Sequence, residues 1–443
     1  MTLDELLASP CSALLVGFGV ANRAVAAALV DRGHRVVALD DRPTHDSQTA
    51  AAALGIDLET SDVYDQYCVA ADFMVPTPGL PEWHAAFAAA AAAATPVVSE
   101  FDLAAVWDDR PVVAITGTNG KTTVVELAVA SLREAGMRAV AAGNTDIPLV
   151  AAIDDPDIDV FVVEASSFRL TRADRFRPSV GAWLNFAPDH LDVHTDLEAY
   201  EAAKARVFQL VPADGTIVAN AGDAVVMRNV PAGARTVTFG TPEADWRLDG
   251  EQLVGPRGPF ARTTDLWRSL PHDIDNTLAV AALLAPIGVE AEAVGRAAAG
   301  FAAMPHRLAP VGQIDGQTYY DDSKATTPHA TLAALRGFDE VVLIAGGKNK
   351  GIDLGGLAAG VAQVRAVVAI GEAACEVAAA FAGQTRIEKA ATMEAAVATA
   401  RELSGGEVPV LLSPGCASFD WYSNYGERGD DFARIVRALE IRP

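Results

Sequence analysis

Short apolar runs alternate along the chain with longer stretches of helical periodicity. Twelve runs are bounded by glycine, proline or polar residues and predict buried strands. They are SALLVGF, HRVVALD, DFMVPT, PVVAITG, DVFVVEAS, VGAWLNF, TIVANAG, RTVTFG, QTYYDDS, EVVLIAGG, AVVAIGE and VPVLLSPG. An alternation of strands with helices is typical of mostly parallel sheets that helices cover. The pattern therefore predicts the α/β class.

The 443-residue chain is too long for one hydrophobic core. The predicted strands fall into three groups, so we expect three α/β domains, over residues 1–108, 109–304 and 305–443. We also expect the second group to close with a helical stretch over residues 276 to about 303.

Composition and charge exclude several classes of protein. A net charge of −24 argues against nucleic acid or an anionic membrane surface as a partner. The N-terminal segment MTLDELLASP carries acids where a secretory signal has bases, and the alanine-rich run over residues 85–98 is too weakly apolar to span a bilayer. Four scattered cysteines form no CxxC pair. We expect a cytoplasmic protein without a membrane span.

Lysine is scarce in this chain, whereas arginine is common. The lysines stand at positions 121, 204, 324, 348, 350 and 389. Arginine cannot replace a lysine that must act as a compact charge or lose its proton. The remaining lysines therefore form a short list of candidate functional residues, and all but Lys389 fall in motifs described below.

The stretch LLVGFGVAN follows the pattern of a dinucleotide-binding turn. Gly17 and Gly19 match the first two glycines of GxGxxG, but Asn22 stands at the third. Asp40, at the end of the next strand, could meet a ribose or a base. Thr77 lies in a second loop, TPGL, at the carboxyl edge of the same sheet, where ligands of such sheets bind. The pattern favours a nucleotide site, although a structural turn remains possible.

The segment GTNGKTT predicts a phosphate-binding loop, because it follows a buried strand and precedes a helix. Lys121 would reach the β and γ phosphates, and the hydroxyl of Thr122 would bind magnesium. The spacing is GxxGKT, not the commoner GxxxxGKT. Glu164 ends the neighbouring strand VFVVE, where a second magnesium ligand would lie.

The loop LNFAPDHLDVH after another strand is dense in polar residues, and ordinary turn chemistry is the alternative explanation there. These residues are Asn185, Asp189, His190, Asp192 and His194. Lys204 stands alone in a predicted helix, where a solvated surface lysine is the alternative. His306 and Arg307 lie at the junction to the third group of strands, where they could clamp a phosphate. Further candidates lie in loops that follow strands of the third group, namely Asp322, Ser323, Lys324 and Thr326, then Lys348 and Lys350, and finally Ser418 and Tyr425.

With GTNGKT, EASSF, PDHLDVH, AAKARVF, MPHR, DDSKAT and SPGCASFD in this order, the chain resembles the Mur ligases over essentially its whole length. These are cytoplasmic ATP-dependent enzymes that add amino acids to the peptidoglycan precursor. The chain is most similar to members that add D-glutamate to UDP-N-acetylmuramoyl-L-alanine. The resemblance implies a Rossmann-like N-terminal domain for the UDP-sugar, a central P-loop-type ATP-binding domain and a Rossmann-like C-terminal domain.

The resemblance also implies an amide-forming reaction through an acyl phosphate. The implied catalytic residues are Lys121, His190, Lys204 and Arg307. Two Mg²⁺ sites are implied, one at Thr122 and Glu164 and the other at His190 and a carbamylated Lys204. Arginine could not be carbamylated, which would explain a lysine kept at position 204.

Further residues match binding positions of the family. For ATP they are Gly117, Thr118, Asn119, Gly120, Lys121, Thr122, Thr123, Asp273, Asn276, His306, Arg307 and Asp322. For the UDP-sugar they are Gly17, Gly19, Asp40, Asp41, Arg42, Thr77, Gly79 and Asn144. For D-glutamate they are Lys324, Thr326, Lys350, Ser418, Phe419 and Tyr425. The chain departs from the family at Asp146, Asp273 and Tyr425, where glycine, asparagine and phenylalanine are common. Lys348 has no assigned role, and a register shift between Lys348 and Lys350 stays open.

Several alternatives share parts of this pattern. Another Mur-type ligase or a folylpolyglutamate synthase would use the same ATP chemistry on different substrates. An NAD-dependent dehydrogenase would need the third glycine, and a non-catalytic nucleotide-binding protein would be expected to have lost Lys121, Glu164, His190 or Lys204. We expect a monomer whose third domain closes about a hinge near residues 304–306.

Overall fold

The computed structural model describes residues 2–60, 64–191, 193–302 and 304–440. The chain divides into two compact units. The first unit comprises Met1–Phe186, Val193–Leu266 and Asp275–Gly300, and the second comprises Ala187–Asp192, Trp267–Ile274 and Phe301–Pro443. The division into three domains, with boundaries near residues 108 and 304, remains a prediction.

The first unit begins with a four-stranded parallel sheet of order β3-β2-β1-β4. Its strands are β1 (Ser12–Val16), β2 (Arg35–Leu39), β3 (Asp57–Glu59) and β4 (Phe73–Pro76). Its helices are α1 (Leu3–Leu7), α2 (Val20–Asp31), α3 (His45–Leu54), α4 (Asp65–Ala70), α5 (Ala85–Ala93) and α6 (Glu100–Trp107). This strand order is that of a Rossmann-type mononucleotide-binding half, which places loops for a ligand at the carboxyl ends of β1 and β4.

A six-stranded parallel sheet follows, of order β10-β9-β8-β5-β7-β6. Its strands are β5 (Val112–Thr116), β6 (Ala139–Gly143), β7 (Val160–Glu164), β8 (Val180–Trp183), β9 (Thr216–Asn220) and β10 (Thr236–Phe239). Its helices are α7 (Lys121–Glu134), α8 (Leu149–Ala152), α9 (Ser167–Leu170), α10 (Leu197–Gln209) and α11 (Ala224–Arg228). Every residue of β7 and β8 is buried, as expected of central strands covered on both faces.

A small antiparallel sheet and two helices complete this part of the chain. The strands are β11 (Arg247–Asp249), β12 (Gln252–Gly255) and β13 (Gly258–Arg262), and the helices are α12 (Pro271–Leu284) and α13 (Ala291–Ala299). The helical stretch predicted over residues 276 to about 303 is therefore wrong in its start and its continuity. Pro271 begins α12 earlier, and Gly288, with φ of 88°, separates it from α13.

The second unit contains a six-stranded sheet of order β14-β15-β19-β16-β17-β18. Its strands are β14 (Ala309–Ile314), β15 (Gln317–Asp321), β16 (Val341–Gly346), β17 (Val364–Ile370), β18 (Arg386–Ala390) and β19 (Val410–Leu412). Its helices are α14 (Pro328–Leu335), α15 (Ala374–Ala380), α16 (Met393–Ser404) and α17 (Tyr425–Glu440). Only the β14–β15 hairpin is antiparallel, and two apolar clusters cover the two faces.

All twelve predicted strands are present, and the mixed α/β class with parallel sheets is confirmed. The strands that the apolar pattern does not predict lie at sheet edges or in the small antiparallel sheet. They are β3, β6, β11, β12, β13, β14 and β18. Edge strands are half-exposed or short and need no continuous apolar run. Within the described ranges, no helix has the length and apolarity to cross a membrane.

Candidate active site

The segment GTNGKTT forms the loop between the buried strand β5 and helix α7. Gly117 and Gly120 have positive φ values of 159° and 84°, which side-chain-bearing residues rarely adopt. A Cβ atom at Gly120 would lie 3.0 Å from Oδ1 of Asn276, so this loop lies against a residue predicted to bind ATP. No side-chain cap covers the start of α7 within the described residues, as a phosphate site at a helix N-terminus requires.

Two lysines of the predicted site meet at this loop. Nζ of Lys121 donates to the carbonyl oxygens of Gly117 at 2.8 Å and Thr118 at 3.0 Å. Nζ of Lys204, from helix α10, donates to the same Gly117 oxygen at 2.8 Å. Lys204 is 1% exposed, and its amine lies 4.6 Å from the centre of the Tyr200 ring. The fold thus brings a buried lysine from a distant helix to the phosphate loop.

Asn185, at the end of β8, holds the shape of the loop. Its Oδ1 accepts hydrogen bonds from the backbone amides of Thr118 at 3.1 Å and Asn119 at 2.9 Å, and its Nδ2 donates to the carbonyl of Asn119 at 3.1 Å. The candidate side chains after β5 and β8 therefore converge because their strands are neighbours. Thr122 and Thr123 lie in the first turn of α7.

Glu164 ends β7 beside β5 and is 3% exposed. Its Oε1 accepts a hydrogen bond from Nδ2 of Asn144 at 2.9 Å, whereas its Oε2 is buried with no hydrogen-bond partner among the described residues. A buried carboxylate oxygen without a partner is costly, and a bound cation would satisfy it. The donor set of Glu164 and Thr122 therefore fits Mg²⁺. The described residues assemble no cluster of three His, Cys, Asp or Glu side chains for a metal.

Seven of the eight residues predicted for the UDP-sugar follow strands β1, β2 and β4, at the carboxyl edge of the first sheet, whereas Asn144 follows β6 of the central sheet. Asp40 accepts hydrogen bonds from the backbone amides of Phe18 at 2.8 Å and Arg42 at 2.9 Å. Asp41 accepts from the hydroxyl of Tyr64 at 2.5 Å and contacts Nε2 of His84 at 3.0 Å. The Tyr64 hydrogen bond, followed by that of His84, lowers the pKa of Asp41. Both carboxylates thus shape this edge.

Close packing explains the glycines and threonine of this edge. Gly17 has φ of 78°, and a Cβ atom there would lie 2.5 Å from Cγ2 of Thr77. Gly19 is the N-cap residue of α2, and Gly79 has φ of 82°. The two predicted loops are therefore adjacent, and neither Gly17 nor Gly79 is readily replaced.

Asn22 has a structural role that the broken glycine pattern does not predict. The side chain is fully buried, and its Nδ2 lies within hydrogen-bonding distance of three carbonyl oxygens, those of Val16 at 3.3 Å, Gly17 at 2.8 Å and Val75 at 3.1 Å. It therefore links the ends of β1 and β4. The third glycine of a dinucleotide fingerprint is replaced here by an amide that fixes the loop.

A cleft lies within the first unit, beside these loops. Thr77, Gly79, Glu82, Phe168 and Arg172 are among its lining residues. Across it, Nδ1 of His194 contacts Oε1 of Glu82 at 3.2 Å.

The second unit carries the remaining predicted residues. Nε2 of His190 lies 3.3 Å from Oδ2 of Asp189, and Nζ of Lys350 lies 3.7 Å from Oδ1 of the same carboxylate. His190 adopts a left-handed conformation with φ of 56°. Lys348, in contrast, is exposed and pairs through its backbone with Ala417. Of the two lysines, Lys350 is therefore the half-buried one and lies beside Asp189.

The MPHR and DDSKAT segments meet in this unit. Nδ1 of His306 contacts Oδ2 of Asp321 at 2.7 Å. Asp322 accepts hydrogen bonds from the hydroxyl of Ser413 at 2.8 Å and the backbone amide of Leu308 at 3.2 Å. Burial raises the pKa of Asp322 to about 7, although the Ser413 hydrogen bond opposes the shift. One oxygen of Asp322 is thus held by the segment that follows His306, and the other by Ser413.

Asp273, predicted near adenine, has strong protein partners. It is fully buried and accepts hydrogen bonds from Arg268 at 2.5 Å from Nε and 2.9 Å from Nη2. Nη1 of Arg268 also donates to the carbonyl oxygens of Arg307 at 3.2 Å and Leu308 at 3.0 Å. Asp273 therefore positions Arg268, which in turn holds the backbone at Arg307.

Arg428 is a buried residue that the sequence patterns do not assign. It is 1% exposed, and it donates from Nε to the hydroxyl of Ser323 at 2.9 Å, from Nη2 to the Ser323 carbonyl at 2.7 Å and from Nη1 to the Cys416 carbonyl at 3.1 Å. Nζ of Lys324 lies 5.0 Å from the Tyr425 ring centre. One guanidinium thus connects the two segments that carry most residues predicted for D-glutamate.

Three further predicted residues occupy these segments. Ser418 is buried, Phe419 is exposed, and the backbone amide of Thr326 donates to the carbonyl of Lys324.

Comparison with known proteins agrees with this arrangement. Residues 115–256 match the Mur ligase middle domain, and residues 306–416 match the Mur ligase glutamate ligase domain. The UDP-N-acetylmuramoylalanine–D-glutamate ligase of Syntrophotalea carbinolica is 37% identical over 96% of this chain and 97% of its own. The enzyme of that name from Frankia casuarinae is 39% identical over 96% of this chain and 94% of its own.

The chain belongs to the Mur ligase family. Members of this family are ATP-dependent ligases that use Mg²⁺. The fold agrees as well, because a pseudomurein peptide ligase type C from Methanothermus fervidus superimposes with a TM-score of 0.63 at 16% identity, over 97% of this chain and 100% of that one. Of the buried polar residues described above, Asn22 and Arg428 carry no local motif that would have revealed them.

Proposed function

We propose that this Mur ligase joins D-glutamate to UDP-N-acetylmuramoyl-L-alanine at the expense of ATP, in peptidoglycan precursor synthesis. The observation that carries this proposal is the convergence of Lys121 and Lys204 on the phosphate loop, in a chain that aligns over 96% of its length with D-glutamate ligases. A binding protein would have no need of a buried lysine at that position.

The first step requires two anions to meet. The alanyl carboxylate of the nucleotide sugar attacks the γ-phosphorus of ATP, a P–O bond breaks, and ADP leaves with the bonding electrons. An acyl phosphate remains. The barrier is largely electrostatic, so cationic side chains contribute most. Lys121 would neutralise the β and γ phosphates, and Arg307 would bind the transferring phosphoryl group.

Magnesium, when bound, neutralises phosphate charge. Thr122 and Glu164 would hold one ion, and the buried, partnerless Oε2 of Glu164 supports this assignment. His190 and Lys204 would hold a second. An ammonium group cannot bind a cation, so Lys204 would first lose a proton. Its neutral amine would then attack carbon dioxide, forming a carbamate and releasing a second proton. Its carbamate oxygens then resemble those of a carboxylate.

In the second step the neutral amine of D-glutamate attacks the acyl carbon and the amide bond forms. The acyl C–O bond breaks, phosphate leaves with the bonding electrons, and the nitrogen releases a proton. Lys324, Lys350 and the hydroxyl of Ser418 would bind the two carboxylates of the amino acid, and Thr326, Phe419 and Tyr425 would complete its site. Arg428 supports this site indirectly, because it ties together the segments that carry these residues.

The same proposal gives roles to the remaining predicted residues. Asn276, Asp273, His306 and Asp322 would lie on the nucleoside side of ATP, and the loops at Gly17, Asp40 and Thr77 would bind the UDP-sugar. We further propose three domains bounded near residues 108 and 304, a monomer, and a cytoplasmic location.

Phosphate release with UDP-N-acetylmuramoyl-L-alanine and ATP tests the function, with D-glutamate, L-glutamate, L-lysine or glycine added in turn. Release that requires both the nucleotide sugar and D-glutamate is expected. Release with a different amino acid would contradict the proposed specificity, and tight nucleotide binding without release under any condition would contradict the proposed activity.

A further inference from the structure

The cleft of the first unit contains an arginine with no assigned role. Arg172 lines it together with Thr77 and Gly79, two residues predicted for the UDP-sugar. It follows helix α9, so the central part of the chain presents it to the loops of the first sheet.

The surroundings of Arg172 are unusual for a cation. Its guanidinium carbon lies 3.9 Å from the centre of the Phe87 ring. Within the described parts of the chain, no hydrogen-bond acceptor or carboxylate pairs with it. Burial has the largest effect on the pKa of Arg172 and lowers it. Glu82 acts on Arg172 only through the longer-range attraction of its charge, which raises the pKa of Arg172. Oε1 of Glu82 contacts His194 instead.

A half-buried guanidinium without an anion lowers the stability of a protein, because its lost hydration is not replaced by hydrogen bonds. Such a group is expected where a ligand supplies the anion. The planar fork of a guanidinium fits phosphate oxygens in a bidentate manner, whereas stacking on an aromatic ring fixes its orientation beforehand.

We propose that Arg172 binds the diphosphate of the nucleotide-sugar substrate in this cleft. This inference rests on the proposed function and adds a phosphate ligand to it. Phe87 holds the guanidinium in place, and Thr77 and Gly79 line the same cleft. The negative charge of the diphosphate replaces the carboxylate partner that the protein does not provide.

Calorimetric titration of the full-length protein with UDP tests the proposal. We expect Arg172→Met to weaken UDP binding roughly 10- to 100-fold, as for the loss of charge-assisted hydrogen bonds. Arg172→Lys should lose less UDP affinity than Arg172→Met. Neither substitution should change the affinity for uridine. Arg365→Met is the matched control, because Arg365 is also half-buried but is ion-paired with Glu340 and Glu407 in the other unit. It should bind UDP like the wild type.

Thermal unfolding separates ligand binding from a structural role. If Arg172 serves a ligand, Arg172→Met keeps or raises the unfolding temperature while UDP affinity falls. A lowered unfolding temperature with unchanged UDP affinity would show that the Phe87 contact is purely structural and overturn the proposal. Weakened binding of UDP-N-acetylmuramoyl-L-alanine but not of UDP would also overturn it, because the carboxylate would then be the ligand.

These outcomes are distinct from failure of the proposed function. A wild-type protein that binds no UDP and releases no phosphate under any condition would overturn both proposals. A wild-type protein that releases phosphate with D-glutamate, together with an Arg172→Met variant of equal UDP affinity, would overturn only the role of Arg172.

Discussion

Lys121 and Lys204 donate hydrogen bonds to one atom, the carbonyl oxygen of Gly117, each at 2.8 Å. Two ammonium groups at one acceptor repel each other unless an anion lies between them or one of them changes its charge. ATP would supply the anion, and carbamylation of Lys204 would supply the change of charge. The same geometry therefore favours both features of the proposed mechanism.

Replacement of Lys204 by arginine should abolish phosphate release. Arginine keeps the positive charge but cannot form a carbamate, so we expect a fall in kcat of roughly 100-fold or more, comparable to the loss of a main electrostatic contact. Mass spectrometry of the native wild-type protein should show the added mass of one carbon dioxide, absent from Lys204→Arg. Lys389→Arg, at an exposed lysine, should keep full activity. A fully active Lys204→Arg would disprove carbamylation.

Asn144 provides a second test, because its amide contacts Glu164 at 2.9 Å. The family resemblance places Asn144 at the diphosphate, whereas this hydrogen bond shows that it orients Glu164, the proposed magnesium ligand. Loss of such a supporting contact typically weakens metal binding by roughly 10- to 100-fold. We therefore expect Asn144→Ala to raise the Mg²⁺ concentration needed for half-maximal phosphate release, with UDP affinity little changed.

Titration of activity with Mg²⁺, beside calorimetric titration with UDP, distinguishes the two roles of Asn144. Glu164→Gln is the reference, since it removes the proposed ligand itself. Weaker UDP binding with an unaltered Mg²⁺ requirement would instead support the diphosphate role.

The sequence predicts those parts of the fold and of the site that a single local pattern of residues identifies. Buried parallel strands such as β7 are continuous apolar runs, and the loop at Gly120 has glycine where φ is positive, so both are readable locally. Edge strands such as β18, with the sequence RIEKA, are not readable, because hydrogen bonds to one neighbour hold them without full burial.

Contacts between distant segments cannot be predicted from local sequence patterns. Nothing around Arg428 indicates that its partners are Ser323 and Cys416, because only the folded chain brings these segments together. The same holds for the Lys204 amine at Gly117, although the scarcity of lysine marked that position. Roles of single residues depend on three-dimensional neighbours, whereas buried strands are marked by their own apolar sequence.

Asp322 predicts a pH dependence of stability. Burial raises its pKa to about 7, whereas an aspartate in the unfolded chain titrates near 4. Between these values the folded state holds a proton that the unfolded state has lost, so this group makes stability fall as pH rises from about 4 to about 7. Asp322→Asn should remove that contribution. The free energy of unfolding of the variant should therefore fall less between pH 5 and pH 8 than that of the wild type. Urea unfolding at both pH values measures it.

The control for Asp322 is Asp339→Asn, which changes an exposed carboxylate and should follow the wild-type profile. An Asp322→Asn profile parallel to that of the wild type would show that Asp322 is ionised in the folded protein throughout this range.

Arg428 predicts a selective defect in D-glutamate binding. Burial lowers its pKa to about 10, yet three hydrogen bonds hold it between the Ser323 and Cys416 segments. Arg428→Met leaves those buried acceptors without a donor and should cost about 3 kcal/mol or more in the free energy of unfolding. Because the segments carry Lys324 and Ser418, KM for D-glutamate should rise at least tenfold while KM for the nucleotide sugar stays near the wild-type value.

Arg428→Lys keeps the charge but can satisfy fewer acceptors, so it should fall between the wild type and Arg428→Met in both stability and KM for D-glutamate. Arg434→Met is the matched control on the same helix, since Arg434 is exposed and ion-paired with Asp431 and Glu394. A purely structural role would lower stability and kcat without changing the ratio of the two KM values. A selective rise in KM for D-glutamate, partly restored by lysine, would establish that Arg428 positions the amino-acid site.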